Sequence, residues 1–455
     1  MSSIVDSHIF KDIFGTSNMR DIWSDKTRTK YYLDWEIALA KVQCELDIIP
    51  KEAYDLIQRM AKVENIDMDE LKRNTELIGY PVLPVVQQLV KLCQKEEEKL
   101  GHKKNLGDYC HFGATTQDVT DTTTIMQIRD SFDWIEHELD SIMVDIEKLA
   151  KEYRLQPMVA RSNLQQAVPI TFGFKMARLL STLKRYKERL QQLKKTIYVL
   201  EFGGAAGNLS SLGKLGLTCQ KKLANELKLN QPDIAWHTER DRIAEVGCFL
   251  AMLCATLSKN ATDIKLMMQT EIGEVSEPFM PHRGSSSTMP NKFNPISCVY
   301  IHSMATVVKQ HSNALIEAMV ADFERSTGPW EIEWIVLPEA FILTSGVLSQ
   351  SKYLMSGLKV NPAKMTSNLE LTKGLVVSES VMMGLAPYLG RQQAHDLIYD
   401  LCRQAIEKDC MLVDLLKRDP RVMQIDGMTE EWLEHRCNPS NYLGLCGEMI
   451  DRVIH

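Results

Sequence analysis

The sequence predicts an all-α protein built as a bundle of long helices, and three observations support this fold class. Apolar residues recur at the i, i+3, i+4 and i+7 spacing of a helix over stretches of about 30 residues. Alternating strand patterns rich in β-branched residues are nearly absent. Proline and glycine cluster instead between the periodic stretches, at 79–84, 203–216, 277–295 and 328–329. Helices of this length are typical of bundles.

The periodic segments predict six principal helices, in chain order at 31–48, 120–154, 172–202, 239–272, 296–322 and 334–357. They indicate three helical domains: an N-terminal domain over 1–112, a central bundle over 113–355 and a C-terminal domain over 356–455. The segment 243–257 is apolar around much of its circumference and therefore needs partners on several sides. This favours helices shared between subunits, and a buried central helix of a monomer is the alternative.

Composition and charge exclude several classes of function. The chain has 455 residues and a net charge of −7, so its overall field does not favour nucleic acid. The eleven cysteines include no C-x-x-C spacing, which argues against a disulfide framework or a zinc site and for a reducing compartment. We find no secretory signal and no apolar run of membrane-spanning length, and therefore expect a cytoplasmic protein. Neither a metal nor a nucleotide cofactor is expected.

The loop 284–295, Gly-Ser-Ser-Ser-Thr-Met-Pro-Asn-Lys-Phe-Asn-Pro, carries the strongest indication of chemistry. It offers hydroxyl groups and backbone N–H groups, and Pro295 suits the first turn of the helix at 296. The N–H groups at that helix start, together with Lys292, are expected to bind an anion. A serine on a mobile loop above a bound carboxylate is a candidate for proton transfer. A flexible linker is the alternative interpretation.

This loop resembles the G-S-S-x-M-P-x-K-x-N-P motif of the fumarase/aspartase superfamily. The resemblance implies that Ser286 is the catalytic serine, that Lys292 binds substrate and that Asn294 positions the loop. We also assign substrate binding to the neighbouring Ser287 and Arg283.

Two further segments extend the resemblance. His111-Phe-Gly-Ala-Thr-Thr-Gln-Asp118 is similar to the first conserved region of the superfamily, and Ala160-Arg-Ser-Asn-Leu-Gln-Gln166 to the second. Thr115 and Thr116 would bind a substrate carboxylate, although threonine also favours helix N-cap positions. His111 is interpreted as a proton shuttle or carboxylate ligand, with a core histidine as the alternative. The substrate-binding candidates in the second region are Arg161, Ser162, Asn163 and Gln166.

The resemblance implies a homotetramer with a shared central helical core, in which each active site collects the three regions from three subunits. A serine would act next to a substrate carboxylate through an aci-carboxylate intermediate, stabilised by cations and N–H groups. Within the superfamily, 322–330 and 385–391 are most similar to the branch of 3-carboxy-cis,cis-muconate cycloisomerase. The expected partner is a small polycarboxylate, with no nucleic acid and no membrane.

The chain departs from the superfamily at one pair of positions. Most members carry a histidine where this chain has Asn163, and its glutamate partner where this chain has Val299. Elimination of an amine or hydroxide needs such an acid–base pair, whereas decarboxylation does not, because CO₂ leaves as a neutral gas. The missing pair therefore favours a carboxy-lyase. The segments Arg161-Ser-Asn163 and Arg283-Gly-Ser-Ser-Ser also resemble carboxy-lyase members of the superfamily, and this resemblance implies an unsaturated tricarboxylate, trans-aconitate, as substrate and itaconate as product. The alternatives are the lactonising cycloisomerase reaction, an adenylosuccinate- or argininosuccinate-lyase activity, and a non-catalytic, crystallin-like role.

Overall fold

A computed structural model describes residues 3–101 and 104–455, and it confirms the all-α fold class. The helices in chain order are α1 (Ser17–Ile22), α2 (Asp25–Glu45), α3 (Lys51–Met60), α4 (Met68–Ile78), α5 (Val82–Lys99), α6 (Thr116–Glu152), α7 (Phe172–Ile197), α8 (Gly216–Glu226), α9 (Asp241–Met267), α10 (Ile296–Glu317), α11 (Pro329–Ser356), α12 (Pro362–Glu370), α13 (Ser378–Leu389), α14 (Arg391–Glu407), α15 (Leu412–Arg418), α16 (Pro420–Met423), α17 (Glu430–Cys437) and α18 (Cys446–Ile454). Short 3₁₀ turns connect some of them.

The six helices predicted from periodicity are all present as α2, α6, α7, α9, α10 and α11. Their ends differ from the prediction by a few residues. The helix predicted from residue 334 begins at Pro329, directly after Gly328, whose φ of 109° no other residue type adopts easily. Proline is well suited to a first helical turn because its missing N–H would have no partner there.

A β-hairpin, which the sequence did not predict, follows α6. Its strands are β1 (Pro157–Ser162) and β2 (Gln165–Thr171), paired antiparallel with Ser162 opposite Gln165. The two turn residues, Asn163 and Leu164, have φ values of 51° and 63°, as the tight hairpin turn with two left-handed residues requires. The second conserved region therefore forms a hairpin tip. Two further short strands, β3 (Val275–Ser276) and β4 (Lys359–Val360), also pair antiparallel.

The chain forms two compact units, each made of three separate segments. Unit 1 comprises 1–138, 187–257 and 303–349, and its core includes the stacked rings of Trp23 and Phe341, which lie 5.2 Å apart. Unit 2 comprises 139–186, 258–302 and 350–455. Its C-terminal helices enclose an apolar core around Val381, Leu397 and Leu433. The three-domain division along the sequence stays a prediction.

Helices α9 and α11 are long and apolar enough to cross a membrane by length and composition. However, 61% and 67% of their most apolar windows are buried inside the protein. Burial in a helical core accounts for this composition. All eleven cysteines are free thiols.

Candidate active site

The first conserved region lies in unit 1, at the start of α6, where Asp118 organises the backbone. Its carboxylate accepts hydrogen bonds from the N–H groups of Thr115 (2.9 Å), Gly203 (2.9 Å) and Gly204 (3.0 Å) and from His237 Nε2 (2.8 Å). The Thr115 bond is that of a helix-capping carboxylate three residues into the helix. Asp118 therefore fixes the helix start that carries Thr115 and Thr116, and ties it to the glycine turn at 203–204.

His111 lies just before this helix start and pairs with a buried carboxylate. Its Nδ1 is 2.7 Å from Glu36 Oε1, and its backbone N–H donates to Glu36 Oε2 at 2.9 Å. Burial disfavours the charged imidazolium, but the charge and hydrogen bond of Glu36 outweigh it and raise the pKa of His111. A histidine in this setting retains its proton to a higher pH than usual, which suits a proton donor.

His237 is a residue whose environment the sequence did not reveal. It is 4% exposed, and besides Asp118 it approaches Glu201 Oε1 at 3.4 Å. Burial and then the charges of Asp118 and Asp121 raise the pKa of Glu201 to about 9, so this carboxyl is neutral at pH 7. For His237, the sequence shows only a histidine directly after a tryptophan, and this predicts nothing about partners more than thirty residues away.

A group of three side chains could in principle hold a metal ion, because one ligand atom from each of Asp118, Glu201 and His237 lies within 4.8 Å of the other two. Their other contacts decide whether the set suits a metal ion. The two oxygens of Asp118 already accept four N–H donors, which fills its acceptor positions. His237 Nε2 must carry the proton it donates, so it has no lone pair for a metal. The set fits a hydrogen-bonded framework rather than a metal centre.

Arg325, in the loop between α10 and α11, is a cation that the sequence did not single out. Its guanidinium donates to Gln117 Oε1 at 2.6 Å and to the carbonyl oxygens of Gly204 (3.2 Å) and Ala205 (3.3 Å). All these acceptors are neutral, and no carboxylate within 4.0 Å pairs with Arg325 in the described part of the chain. Arg325 thus adds an unneutralised positive charge beside the start of α6.

The second conserved region lies in unit 2, on the hairpin. Arg161 donates two hydrogen bonds to the buried Glu274, at 2.7 and 2.9 Å, so its charge is neutralised within the protein. This pairing makes Arg161 an anchor for the hairpin, and its role as a substrate cation stays a prediction. Gln166 similarly donates to the backbone oxygen of Asn368 at 2.9 Å. Ser162 and Asn163 are exposed at the tip.

The loop 284–295 is closed at its base by Gly284 and Asn294. The backbone N–H and side-chain amide of Asn294 donate to Gly284 O, at 3.0 and 2.9 Å. Gly284 has a φ of 73°, and a Cβ there would come within 2.5 Å of Asn294 O, so only glycine fits. Inside the loop, Ser286 Oγ accepts from the N–H groups of Met289 (3.1 Å) and Thr288 (3.3 Å).

The helix start that follows the loop differs from the prediction. The N–H groups of Ser297 and Cys298 donate to the buried Glu277, at 3.2 and 2.9 Å. An internal carboxylate therefore occupies the place at the start of α10 where the sequence predicted substrate binding, because the helix dipole favours any nearby anion. Lys292 and Ser287 remain exposed on the loop.

Arg283 supports the loop from below. Its guanidinium donates to Ser297 Oγ (2.6 Å) and Gln350 Oε1 (3.0 Å) and lies 4.2 Å from the ring centre of Tyr353. No ion pair with Arg283 occurs in residues 3–101 or 104–455, so its charge is available to an anion. Val299, at the position of the superfamily glutamate, is 50% exposed.

The structure thus places the predicted residues on three elements. His111, Thr115 and Thr116 share the start of α6 in unit 1, and the remaining candidates lie on two separate segments of unit 2, the hairpin and the loop. The roles of these residues stay predictions.

Comparison with known proteins gives a consistent result over the whole chain. A family model described as "Lyase" matches residues 14–309, and one described as "Adenylosuccinate lyase C-terminus" matches residues 374–453. Trans-aconitate decarboxylase 1 of Mycosarcoma maydis is 55% identical over 443 residues, which cover 97% of this chain and 88% of that protein. The 3-carboxy-cis,cis-muconate cycloisomerase of Acinetobacter baylyi is 37% identical over 450 residues, 98% of either chain.

Solved structures give the same relationship. The 3-carboxy-cis,cis-muconate lactonizing enzyme from Pseudomonas putida superposes with a TM-score of 0.91 at 35% identity, covering 98% of both chains. A fumarate lyase from Mesorhizobium superposes with a TM-score of 0.89 at 40% identity, covering 97% of this chain and 98% of the other.

Proposed function

This chain belongs to the fumarase/aspartase superfamily of lyases, and from that premise we propose that it decarboxylates trans-aconitate to itaconate and CO₂. The observation that carries the proposal is the 55% identity to a trans-aconitate decarboxylase over 97% of the chain. Asn163 and Val299 support it independently. They leave the site without the acid–base pair that elimination requires and decarboxylation does not.

The chemistry needs one bond cleavage and one proton. The bond between the CH₂ carbon and its carboxylate breaks, and CO₂ leaves without the electron pair. The pair forms the new CH₂=C bond, while the old double bond shifts its electrons onto the former vinyl carbon and its carboxylate. This aci-carboxylate then takes a proton at carbon. Trans-aconitate and one proton therefore give itaconate and CO₂, and the reaction needs no oxidant or reductant.

We assign the protonation of carbon to Ser286, with His111 as the relay that replenishes the proton. Two N–H groups converge on Ser286 Oγ, and hydrogen bonds of this kind stabilise negative charge on oxygen after the proton has left. The raised pKa of His111 keeps a proton available at neutral pH.

Carboxylate binding falls to the cations that no internal carboxylate neutralises. These are Lys292 and Arg283 on the loop side and Arg325 beside the start of α6. Thr115, Thr116, Ser162, Asn163, Ser287 and Gln166 complete the proposed substrate contacts. A trianion bound by hydrogen-bonding groups and unpaired cations gains most where water is excluded. We propose that this happens in a cytoplasmic homotetramer in which three subunits contribute to each site.

The test is a substrate panel with the purified protein. We expect trans-aconitate to yield itaconate and CO₂ in equal amounts. The second candidate is the cycloisomerase reaction, which the 37% identity to an Acinetobacter baylyi cycloisomerase favours. Lactonisation of 3-carboxy-cis,cis-muconate without any release of itaconate from trans-aconitate would replace the decarboxylase proposal. Inactivity on both acids would instead favour a non-catalytic, crystallin-like role.

A further inference from the structure

Unit 1 contains a cavity of about 480 Å³ that involves none of the predicted site residues. It lies between the first turns of α2, the helix α4 and the first three turns of α11. Its apolar wall includes Trp23, Leu71 and Pro338. Cavities of this size with mixed linings are where proteins bind small molecules.

The charged residues of the cavity balance one another. Asp25 and Arg28 are three residues apart in the first turn of α2, so they lie on the same helix face. Neither forms an ion pair in the parts of the chain that the structure describes. Lys72 and Glu76 line the rim and pair with each other at 4.0 Å, with both side chains exposed. The lining therefore holds two positively and two negatively charged side chains. This suits a zwitterionic ligand and disfavours a trianion.

Two polar atoms on lining residues have no hydrogen-bond partner among the residues that the structure describes. The Tyr32 hydroxyl belongs to a side chain that is 1% exposed, one turn along α2 from Arg28, and it makes no hydrogen bond. The Trp334 indole N–H is likewise buried and unpartnered. Native structures leave few buried polar groups unpaired, and those that remain call for a partner.

We propose that this cavity binds an amphipathic zwitterion, namely a free α-amino acid with an aromatic or branched apolar side chain. The carboxylate pairs with Arg28 and the ammonium group with Asp25. The apolar side chain lies against Trp23, Leu71 and Pro338. The Tyr32 hydroxyl and the Trp334 N–H have no accessible surface in this structure, so each must rotate toward the cavity before it can bond the polar end of the ligand. The site is separate from the residues assigned to trans-aconitate.

Isothermal titration calorimetry of the full-length protein with L-phenylalanine tests the proposal. Phenylacetate lacks the ammonium group and phenethylamine lacks the carboxylate, so each removes one proposed ion pair. We expect saturable binding of phenylalanine and at least about tenfold weaker binding of both analogues, as the loss of one charge-assisted hydrogen bond predicts.

Arg28→Gln should weaken phenylalanine binding by at least about tenfold. Arg73→Gln is the matched control, because Arg73 is exposed on α4 and does not line the cavity, and it should keep the wild-type affinity. Thermal melting checks that both variants fold. Absence of saturable phenylalanine binding to the wild type would overturn the proposal, as would equal binding of phenylacetate. A folded Arg28→Gln variant with unchanged affinity would overturn it as well.

Discussion

The hydroxyl group of Ser286 is hydrogen-bonded within its own loop rather than to a neighbouring base. Its hydroxyl oxygen accepts from the N–H groups of Thr288 and Met289, and no carboxylate or imidazole pairs with it in the described residues of this single chain. In the proposed tetramer, Ser286 would receive its proton from groups of another subunit. For this reason His111 is proposed as a relay rather than as a direct partner within one chain.

Ser286→Ala should lower kcat by about 10²- to 10⁴-fold, the usual contribution of a positioned proton-transfer group. The loop is closed by Gly284 and Asn294, so the variant should keep the wild-type melting temperature. Initial rates of itaconate formation measure the effect. Ser285→Ala is the matched control, since Ser285 contributes to the loop through its backbone bridge to Phe293. Full activity in Ser286→Ala would remove Ser286 from the mechanism.

Glu36→Gln should shift the pH dependence of the reaction. The carboxylate of Glu36 raises the pKa of His111, so His111 stays protonated, and active as a donor, to a higher pH than an ordinary histidine. Activity is therefore present below the pKa of His111 and lost as pH rises through it. Removal of the charge lowers this pKa, and the basic limb of the kcat/KM profile should move to lower pH. An unchanged basic limb would show that His111 does not supply the proton.

At the scale of elements, the hairpin β1–β2 depends on one buried ion pair. Arg161 is joined to Glu274, which is fully buried and directly precedes β3. Glu274 also accepts from the side-chain amide of Asn368 at 2.9 Å. This arrangement holds the hairpin tip with Asn163 at a fixed place in unit 2.

Glu274→Gln should cost about 3 kcal/mol of unfolding free energy, because it leaves the Arg161 guanidinium without its counter-charge. Urea denaturation followed by circular dichroism measures the loss. Asp451→Asn serves as the comparison, since it breaks the exposed pair of Asp451 with Arg154 and should lower the unfolding free energy far less than Glu274→Gln does. Equal losses in the two variants would mean that the hairpin does not depend on this pair.

The sequence predicted those elements whose information is local. The six long helices follow from periodicity within each segment, whereas the need for glycine at 284 is visible only in the structure. The hairpin was missed because its strands are short, Pro169 interrupts the second, and Asn163-Leu164 is not a common turn pair. The partners of Arg161, His111 and Asp118 were missed for a different reason. Apart from Thr115, these partners are distant in sequence, and a single sequence carries no signal for such contacts.

The substrate-binding site predicted at the start of α10 is wrong for a general physical reason. A helix start attracts any anion, and the sequence does not show whether that anion is substrate or protein. Here Glu277 takes the place at the start of α10. A carboxylate about twenty residues before a predicted helix start is an ordinary feature, so its capping role becomes visible only in three dimensions.

In the whole molecule, the proposed mechanism requires residues from different subunits to meet. Within one chain, the start of α6 lies in unit 1 and the hairpin and loop lie in unit 2. The long helices carry exposed apolar residues, such as Met252, Val307 and Ile335, and surfaces of this kind are suited to subunit contacts. We predict a homotetramer, which size-exclusion chromatography with light scattering measures directly.

Complementation between two inactive variants tests the sharing of sites. Ser286→Ala removes the proton-transfer group, and Asn163→Asp places a negative charge at the hairpin tip, where it repels a polyanion. Each variant alone should be inactive. If the loop and the hairpin of one site come from different subunits, a mixture of equal amounts, dissociated and reassembled, should recover roughly a quarter of wild-type activity. No recovery from correctly reassembled tetramers would place both segments of a site on one subunit.

Incubation of the protein with trans-aconitate in D₂O, followed by NMR of the products, tests the proposed decarboxylation directly. We expect itaconate that carries one deuterium on its saturated CH₂ carbon and none on its vinylidene carbon, because the former vinyl carbon takes a single proton after CO₂ departs. Itaconate without deuterium at the saturated carbon, or no itaconate at all, would contradict it.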